Sequence, residues 1–221
     1  MTVTSSQNIF IFAIGFLGQA FFFARTFIQW ILSEHKKKVV SPTIFWILSL
    51  IGSCIFFIYG WLRNDFSIIL GQSITYFIYI WNLNIKGIWN KFPLILRIII
   101  IGLPVAVLIY LIDDAGPFFV SFFGRREIPL WLILFGSVGQ ITFTLRFIYQ
   151  WYYSYRKHAS LLPAGFWYFS IIGSAIIIIY AIIRLDPVLI LSQAFGFIVY
   201  ARNIVIGTHE KEIKSDQEVS K

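Results

Sequence analysis

The sequence predicts an all-α membrane protein, with seven transmembrane helices in three-plus-one-plus-three order forming two parallel triple-helix bundles. Three observations lead there: an apolar composition, seven runs of membrane-spanning length, and an internal repeat without a gap. Hydrophobic residues fill 58% of the 221 positions and charged residues only 13%, with a mean hydropathy of +0.79. Such a chain has too little polar surface to coat a body in water, so most of it must be solvated by lipid. The same composition excludes disorder.

A bilayer core takes about 20 apolar residues per helix. Runs of that kind lie at 9–33, 43–62, 66–89, 92–112, 129–153, 164–183 and 187–207. Met1 to Asn8 carries no basic side chain and no small-residue cleavage pattern follows, so the first run reads as a retained helix rather than a signal peptide. Lys36-Lys37-Lys38 with Pro42 separates the first two helices, Arg63-Asn64-Asp65 the next pair, and Lys91 with Pro93 precedes the fourth. Asp113 to Pro129 is the longest connection, and Phe118, Phe119, Phe122 and Phe123 suggest a short interfacial helix there. Arg156-Lys157-His158 with Pro163, and Asp186-Pro187, mark the last two breaks. The tail, 208–221, alternates acid and base and is expected to be disordered.

The net charge of +8 does not point to nucleic acid, because the basic residues sit in short loops between apolar runs. They set orientation instead. Lys36, Lys37, Lys38, Lys86, Lys91, Arg156 and Lys157, with Lys211, Lys214 and Lys221 of the tail, share one side. Arg63, Arg125, Arg126 and Arg184 share the other. The bias places the C-terminus in the cytoplasm and the N-terminus outside.

Adding 121 to a residue number maps one half of the chain onto the other. Gly15 meets Gly136, Gly18-Gln19 meets Gly139-Gln140, Arg25 meets Arg146, and Gln29-Trp30 meets Gln150-Trp151. Ser33, Pro42, Phe45-Trp46, Ser49 and Gly52-Ser53 meet Ser154, Pro163, Phe166-Trp167, Ser170 and Gly173-Ser174. Tyr59, Arg63, Asp65, Gln72, Tyr79 and Asn82 meet Tyr180, Arg184, Asp186, Gln193, Tyr200 and Asn203. Of the 71 positions from 15 to 85, 27 are identical, most of them neither isoleucine nor phenylalanine, so shared composition cannot explain the match. Each unit holds an odd number of helices. The intervening span, 92–112, restores the direction of entry, so the units (9–89 and 129–207) are expected to be parallel repeats about an axis along the membrane normal.

The duplicated polar residues are the candidate site. Gly15, Gly18, Phe22, Arg25, Gln29 and Ser33 fall on one helical stripe, repeated by Gly136, Gly139, Phe143, Arg146, Gln150 and Ser154. The glycines admit a neighbouring helix, and the arginines must face protein or a wet cavity. Asp65, Gln72, Tyr79 and Asn82, with Asp186, Gln193, Tyr200 and Asn203, line the third and seventh runs. Two readings stay open. Arg25 and Arg146 bind an anionic group such as a phosphate, whose oxygens fit the guanidinium fork, or they bond internally and fix each three-helix unit. Asp65 and Asp186 suit helix capping. Trp30, Trp46, Trp151 and Trp167 suit an interfacial aromatic belt, with a pore gate as the sharper alternative. Pro42 and Pro163 suit a helix's first turn, or a hinge. Cys54 stands alone within an apolar run, and His35, His158 and His209 lie in loops or the tail. No metal set, phosphate loop or nucleophile elbow is legible, and neither a cofactor nor a catalytic centre is expected.

The duplicated pattern resembles the lipid A biosynthesis N-terminal domain family, over about 15–85 and 136–206. The second copy carries the fuller closing motifs, Arg184-Leu185-Asp186-Pro187 and Tyr200-Ala201-Arg202-Asn203, where the first has Phe66 and Trp81 in place of the proline and arginine. The family takes its name from an extension on some lipid-A-disaccharide synthases, and no glycosyltransferase domain is legible in this sequence. The three-plus-one-plus-three order is also similar to the SWEET sugar transporters of the PQ-loop group, in which a third-helix asparagine pair and second-helix aromatics contact sugar. Asn82 and Asn203 lie near the inner helix end, while Gln72 and Gln193 lie deeper and match that role better.

These resemblances imply a bacterial inner-membrane transporter or translocator of a saccharide or lipid-linked saccharide. Arg25, Gln29, Gln72, Asn82, Arg146, Gln150, Gln193 and Asn203 would contact a substrate bearing hydroxyls and phosphate. The rival is a non-catalytic accessory module for a glycosyltransferase of lipid A or glycolipid assembly. A transporter predicts a central cavity reached by both copies of the stripe; a docking module predicts polar stripes consumed by internal hydrogen bonds.

Overall fold

The computed structural model describes residues 5–62, 66–113, 129–185 and 187–219. Asp65, Asp186 and the interfacial helix expected between 113 and 129 lie outside them. Seven α-helices and no strand occur among the described residues: α1 (Ser5–Lys36), α2 (Thr43–Leu62), α3 (Phe66–Ile85), α4 (Leu94–Asp113), α5 (Leu130–Arg156), α6 (Ala164–Ile183) and α7 (Pro187–Val219). A one-turn 3₁₀ helix, Trp89–Lys91, joins α3 to α4. Four segments, Phe10–Lys36, Thr43–Leu62, Leu130–Arg156 and Ala164–Ile183, are long and apolar enough to cross a membrane. The third run closes at Ile85, short of the expected 89, because Lys86 and Gly87 follow and Gly87 turns the chain at a φ of +69°. Helix α7 runs on past Gly207 to Val219, through a segment with neither glycine nor proline and rich in the good helix formers Glu, Lys and Gln.

The repeat is visible in local geometry. Lys37 and His158, equivalent positions, both take a φ of +49° and end α1 and α5 in the left-handed region. Lys38 N–H then reaches the Ser33 carbonyl at 3.3 Å, and Ala159 N–H the Ser154 carbonyl at 3.2 Å. Pro163 stands just before α6 in an extended conformation, as its fixed φ favours at a helix start.

The chain divides into two compact units, Met1–Arg25 with Thr43–Glu127, and Thr26–Pro42 with Ile128–Lys221. The end of α1 therefore packs with the second repeat. Within the first unit α1 meets α2 through glycine: a Cβ on Gly15 would lie 2.8 Å from the Tyr59 ring. In the second, a Cβ on Gly136 would lie 2.8 Å from the Tyr180 ring. At Gly173 a Cβ would come within 2.8 Å of the Phe143 backbone nitrogen, so α6 and α5 touch main chain at that point. Outward faces are apolar, as a lipid solvent requires: Phe16, Ile95, Ile98, Ile109, Leu134 and Ile141 are all exposed.

Helix α4 contains Pro104, which has no N–H to give the carbonyl four residues back. That carbonyl belongs to Ile100, and the buried Tyr76 hydroxyl of α3 donates to it at 2.8 Å. Cys54 of α2 lies 3.2 Å from the same hydroxyl. The side chain of one helix thus repairs a hydrogen bond missing from another, and joins α4 to the first unit. The second copy has Phe197 and Ala175 at these positions. Tyr76→Phe is expected to cost about 1 kcal/mol, the usual worth of an interhelical hydrogen bond in a bilayer. Reversible unfolding in mixed micelles measures it; a variant as stable as wild type would show that the Ile100 carbonyl needs no tyrosine.

Candidate functional site

Each unit is built around its arginine. Arg25 of α1 is 6% exposed, although it lies two residues past the midpoint of the apolar segment Phe10–Lys36. Its Nη1 donates to Ser49 Oγ of α2 at 2.8 Å and to Tyr79 Oη of α3 at 3.1 Å. One guanidinium therefore ties the three helices of the first repeat. Ser49 can accept because its own proton goes back to the Phe45 carbonyl, one turn earlier. The rings of Phe22, Phe45 and Tyr79 surround the cation, with centroids 4.5, 5.2 and 5.6 Å from Cζ.

Arg146 of α5 does the same in the second repeat, donating to Tyr200 Oη of α7 at 3.1 Å and to Ser170 Oγ of α6 at 3.4 Å. Ser170 in turn donates to the Phe166 carbonyl. The longer serine contact accompanies a closer approach to the Phe143 ring, 3.5 Å from its centroid. Beneath both arginines, Trp46 and Trp167 stand edge-on to Phe45 and Phe166, and each is tilted against a tyrosine, Tyr79 or Tyr200. Both indoles are within 2% of full burial, so Trp46 and Trp167 are core residues and not members of an interfacial belt. Trp151 is exposed and Trp30 half-buried.

One turn further along, the amides bind loops. Gln29 Nε2 donates to Ser33 Oγ at 2.9 Å and to the Val40 carbonyl at 3.3 Å, while Val40 N–H donates to Ser33 Oγ. Gln150 repeats the pattern with Ser154 Oγ and the Leu161 carbonyl, both at 2.9 Å. Gln29 also exchanges two hydrogen bonds with Asn203 of α7, at 2.9 and 3.2 Å, and neither side chain has any exposed surface. Close by on the same two helices, Arg202 forms a two-pronged ion pair with Glu34, whose carboxylate also accepts from Trp30 Nε1 at 3.1 Å.

The eight candidates are therefore placed differently from one another. Arg25, Gln29, Asn82, Arg146, Gln150 and Asn203 are buried and hydrogen-bonded. Gln72 is half-buried and accepts from Ser53 at 2.7 Å. Gln193 is half-buried and makes no hydrogen bond among the described residues, since Ser174, the counterpart of Ser53, donates to the Ile171 carbonyl instead. Sequence alone does not assign the serine and tyrosine partners of the arginines, although they stand 24 and 54 positions away in both copies. The Glu34–Arg202 pair leaves no such signal, because the equivalents of both residues, Tyr155 and Trp81, are aromatic.

The Lipid A Biosynthesis N-terminal domain model matches the chain twice, at residues 14–84 and 135–205, two windows separated by the same offset of 121. The chain belongs to this family. Its curated relatives include the lipid-A-disaccharide synthase of Chlamydia caviae, 32% identical over 89% of this chain and 33% of the relative. The lipid-A-disaccharide synthase of Chlamydia felis is 30% identical over the same shares, and that of Chlamydia trachomatis serovar D is 29% identical over 92% of this chain and 35% of its own length. The chain thus spans about a third of the length of these relatives. No solved structure matches it.

Proposed function

We propose that this chain is a non-catalytic membrane module of lipid A or related glycolipid assembly, which docks or supplies a glycosyltransferase at the bacterial inner membrane. The observation that carries this reading is the internal use of the polar stripes. The buried arginines, glutamines and Asn203 bond helix to helix or helix to loop, which is the arrangement expected of a scaffold. The kinship supports it, since the region corresponding to this chain is one third of proteins named lipid-A-disaccharide synthase.

Translocation of a saccharide or lipid-linked saccharide, by rocking of two SWEET-like triple-helix bundles in a seven-span membrane protein, is the second reading. The gapless duplication favours it, and Gln193 is the candidate left without a hydrogen bond among the described residues.

The test uses liposomes carrying the full chain and the Chlamydia caviae synthase from which the matching third has been removed. The docking reading expects the truncated synthase to sediment with liposomes that hold this chain and not with empty ones. It also expects no change in the leaflet distribution of a fluorescent lipid-linked saccharide. Loss of the label from one leaflet with no recruitment of the synthase would replace docking by translocation.

A further inference from the structure

We propose that the chain pairs with a second copy of itself in the membrane through one face of α5, centred on Gln140. This residue lies three positions before the midpoint of the apolar segment Leu130–Arg156, about 4.5 Å along the axis at 1.5 Å per residue. It is exposed, and its side chain makes no hydrogen bond among the described residues. Against lipid tails such an amide keeps its donors and acceptor unmet, which hydrocarbon penalises and water does not. The face is distinct from the stripe that packs inward. Arg146 and Gln150 are spent on α6, α7 and the following loop, while Gln140 and the adjoining Ile141 are exposed.

The surroundings of Gln140 suit another helix. Ser137 and Thr144 stand one turn to either side of it on the same face, small enough for a helix to approach closely. Thr144 donates to the backbone carbonyl of Gln140 at 2.9 Å, so its hydroxyl proton needs no outside acceptor. The first repeat supplies a precedent. On α1 the equivalent side is covered at its inner end by a helix, α7: the Phe27 and Phe195 rings lie 6.4 Å apart, and Glu34 pairs with Arg202. Ile148 and Tyr155, the α5 equivalents of Phe27 and Glu34, are exposed.

Self-complementarity makes the occupant a second copy. Copies of one chain insert in the same direction, so a two-fold axis along the membrane normal sets each residue against itself at equal depth. A glutamine amide both donates and accepts, so Gln140 meets its own copy through two reciprocal hydrogen bonds. Gln29 and Asn203 make the same exchange inside one chain. Gln19, the counterpart of Gln140 in the first repeat, is exposed too, but it stands between the exposed Phe16 and Phe23, whose rings hold a second helix away. The interface is therefore assigned to α5. This inference is independent of whether the chain docks an enzyme or moves a substrate.

The full chain, carrying a fluorophore at its C-terminus and reconstituted in phosphatidylethanolamine–phosphatidylglycerol liposomes over a range of protein-to-lipid ratios, tests it. Single-molecule photobleaching steps give the fraction of dimer. Gln140→Leu is expected to dimerise on the order of 10-fold more weakly, the worth of two interhelical hydrogen bonds in a bilayer. Gln19→Leu removes the equivalent amide and should stay within about twofold of wild type. Near-ultraviolet circular dichroism confirms that both variants are folded. In a Cys54→Ala background, Gln140→Cys should form a disulfide between copies on mild oxidation and Gln19→Cys should not, since the bond needs Cα atoms within about 7 Å. A wild type that stays monomeric at every ratio overturns the proposal, as does equal weakening by the two leucine variants. Labelling of Gln140→Cys by a membrane-impermeant thiol reagent, in place of crosslinking, would put water at this face and overturns it too.

Discussion

Replacing Arg146 with alanine is expected to remove about 3 kcal/mol from the assembly of α5, α6 and α7, roughly two decades in the equilibrium between packed and separated helices. The number follows from where the arginine would otherwise be. On an isolated α5 its charge would lie three residues past the midpoint of the apolar segment Leu130–Arg156, where lipid exposure costs about 2.5–3.5 kcal/mol on insertion scales. Packing relieves that penalty, because the cation then lies among Phe143, Phe147 and Phe166 and donates to Tyr200 and Ser170. Alanine carries no penalty in the separated helix and so gains nothing from packing. Lysine keeps the charge but lacks the planar fork that reaches two hydroxyls, so Arg146→Lys should fall between alanine and wild type. Tyr200→Phe removes one hydrogen bond and should cost about 1 kcal/mol. Arg25→Ala is expected to weaken the first triple-helix unit by a similar amount to Arg146→Ala, through Ser49 and Tyr79. Reversible unfolding in mixed micelles gives all four values. An Arg146→Ala protein within about 0.5 kcal/mol of wild type would remove the arginine from the scaffold and return it to the substrate reading.

That result also decides how function should be probed. A substitution at Arg25 or Arg146 that abolishes any activity cannot by itself identify a ligand contact, since the same change loosens three helices. Gln193 is better placed for that purpose, being half-buried and outside the described hydrogen-bond network.

Much of this architecture is legible in the repeat. An offset of 121 places the arginines, glutamines, serines, prolines and tyrosines in register, and the family model finds the same two windows. What the repeat cannot supply is whatever differs between its copies. Tyr76 has no counterpart hydroxyl, so its bond to the carbonyl freed by Pro104 depends on α4, which occurs once. Glu34 and Arg202 pair with each other, and the equivalent of each is aromatic. The tryptophans mislead for a physical reason: near a helix end an indole suits a headgroup belt and a packed core equally, and only the facing Phe45 and Phe166 rings show which applies.

Asn203→Leu is expected to cost about 2–4 kcal/mol, and the loss should not be shared equally by its neighbours. Leucine is close in size, so packing is largely kept and the lost polar contacts dominate. The change breaks both bonds to Gln29 and leaves that amide carbonyl inside the protein without its Asn203 donor, a desolvation penalty of about 1–3 kcal/mol for each group stranded. The Nε2 of Gln29 retains Ser33 and the Val40 carbonyl, which limits the damage on the donor side. Replacing both members, Gln29→Leu with Asn203→Leu, leaves no stranded amide at the pair and should cost less than the sum of the single changes, with a coupling of about 1–3 kcal/mol. The equilibrium measurement is the four-corner cycle in mixed micelles. Strict additivity would mean that the two amides do not sense each other. A large coupling would establish that the end of α1, from the first repeat, is held to α7 of the second by a buried amide pair, so any motion of α1 against α7 must break that pair.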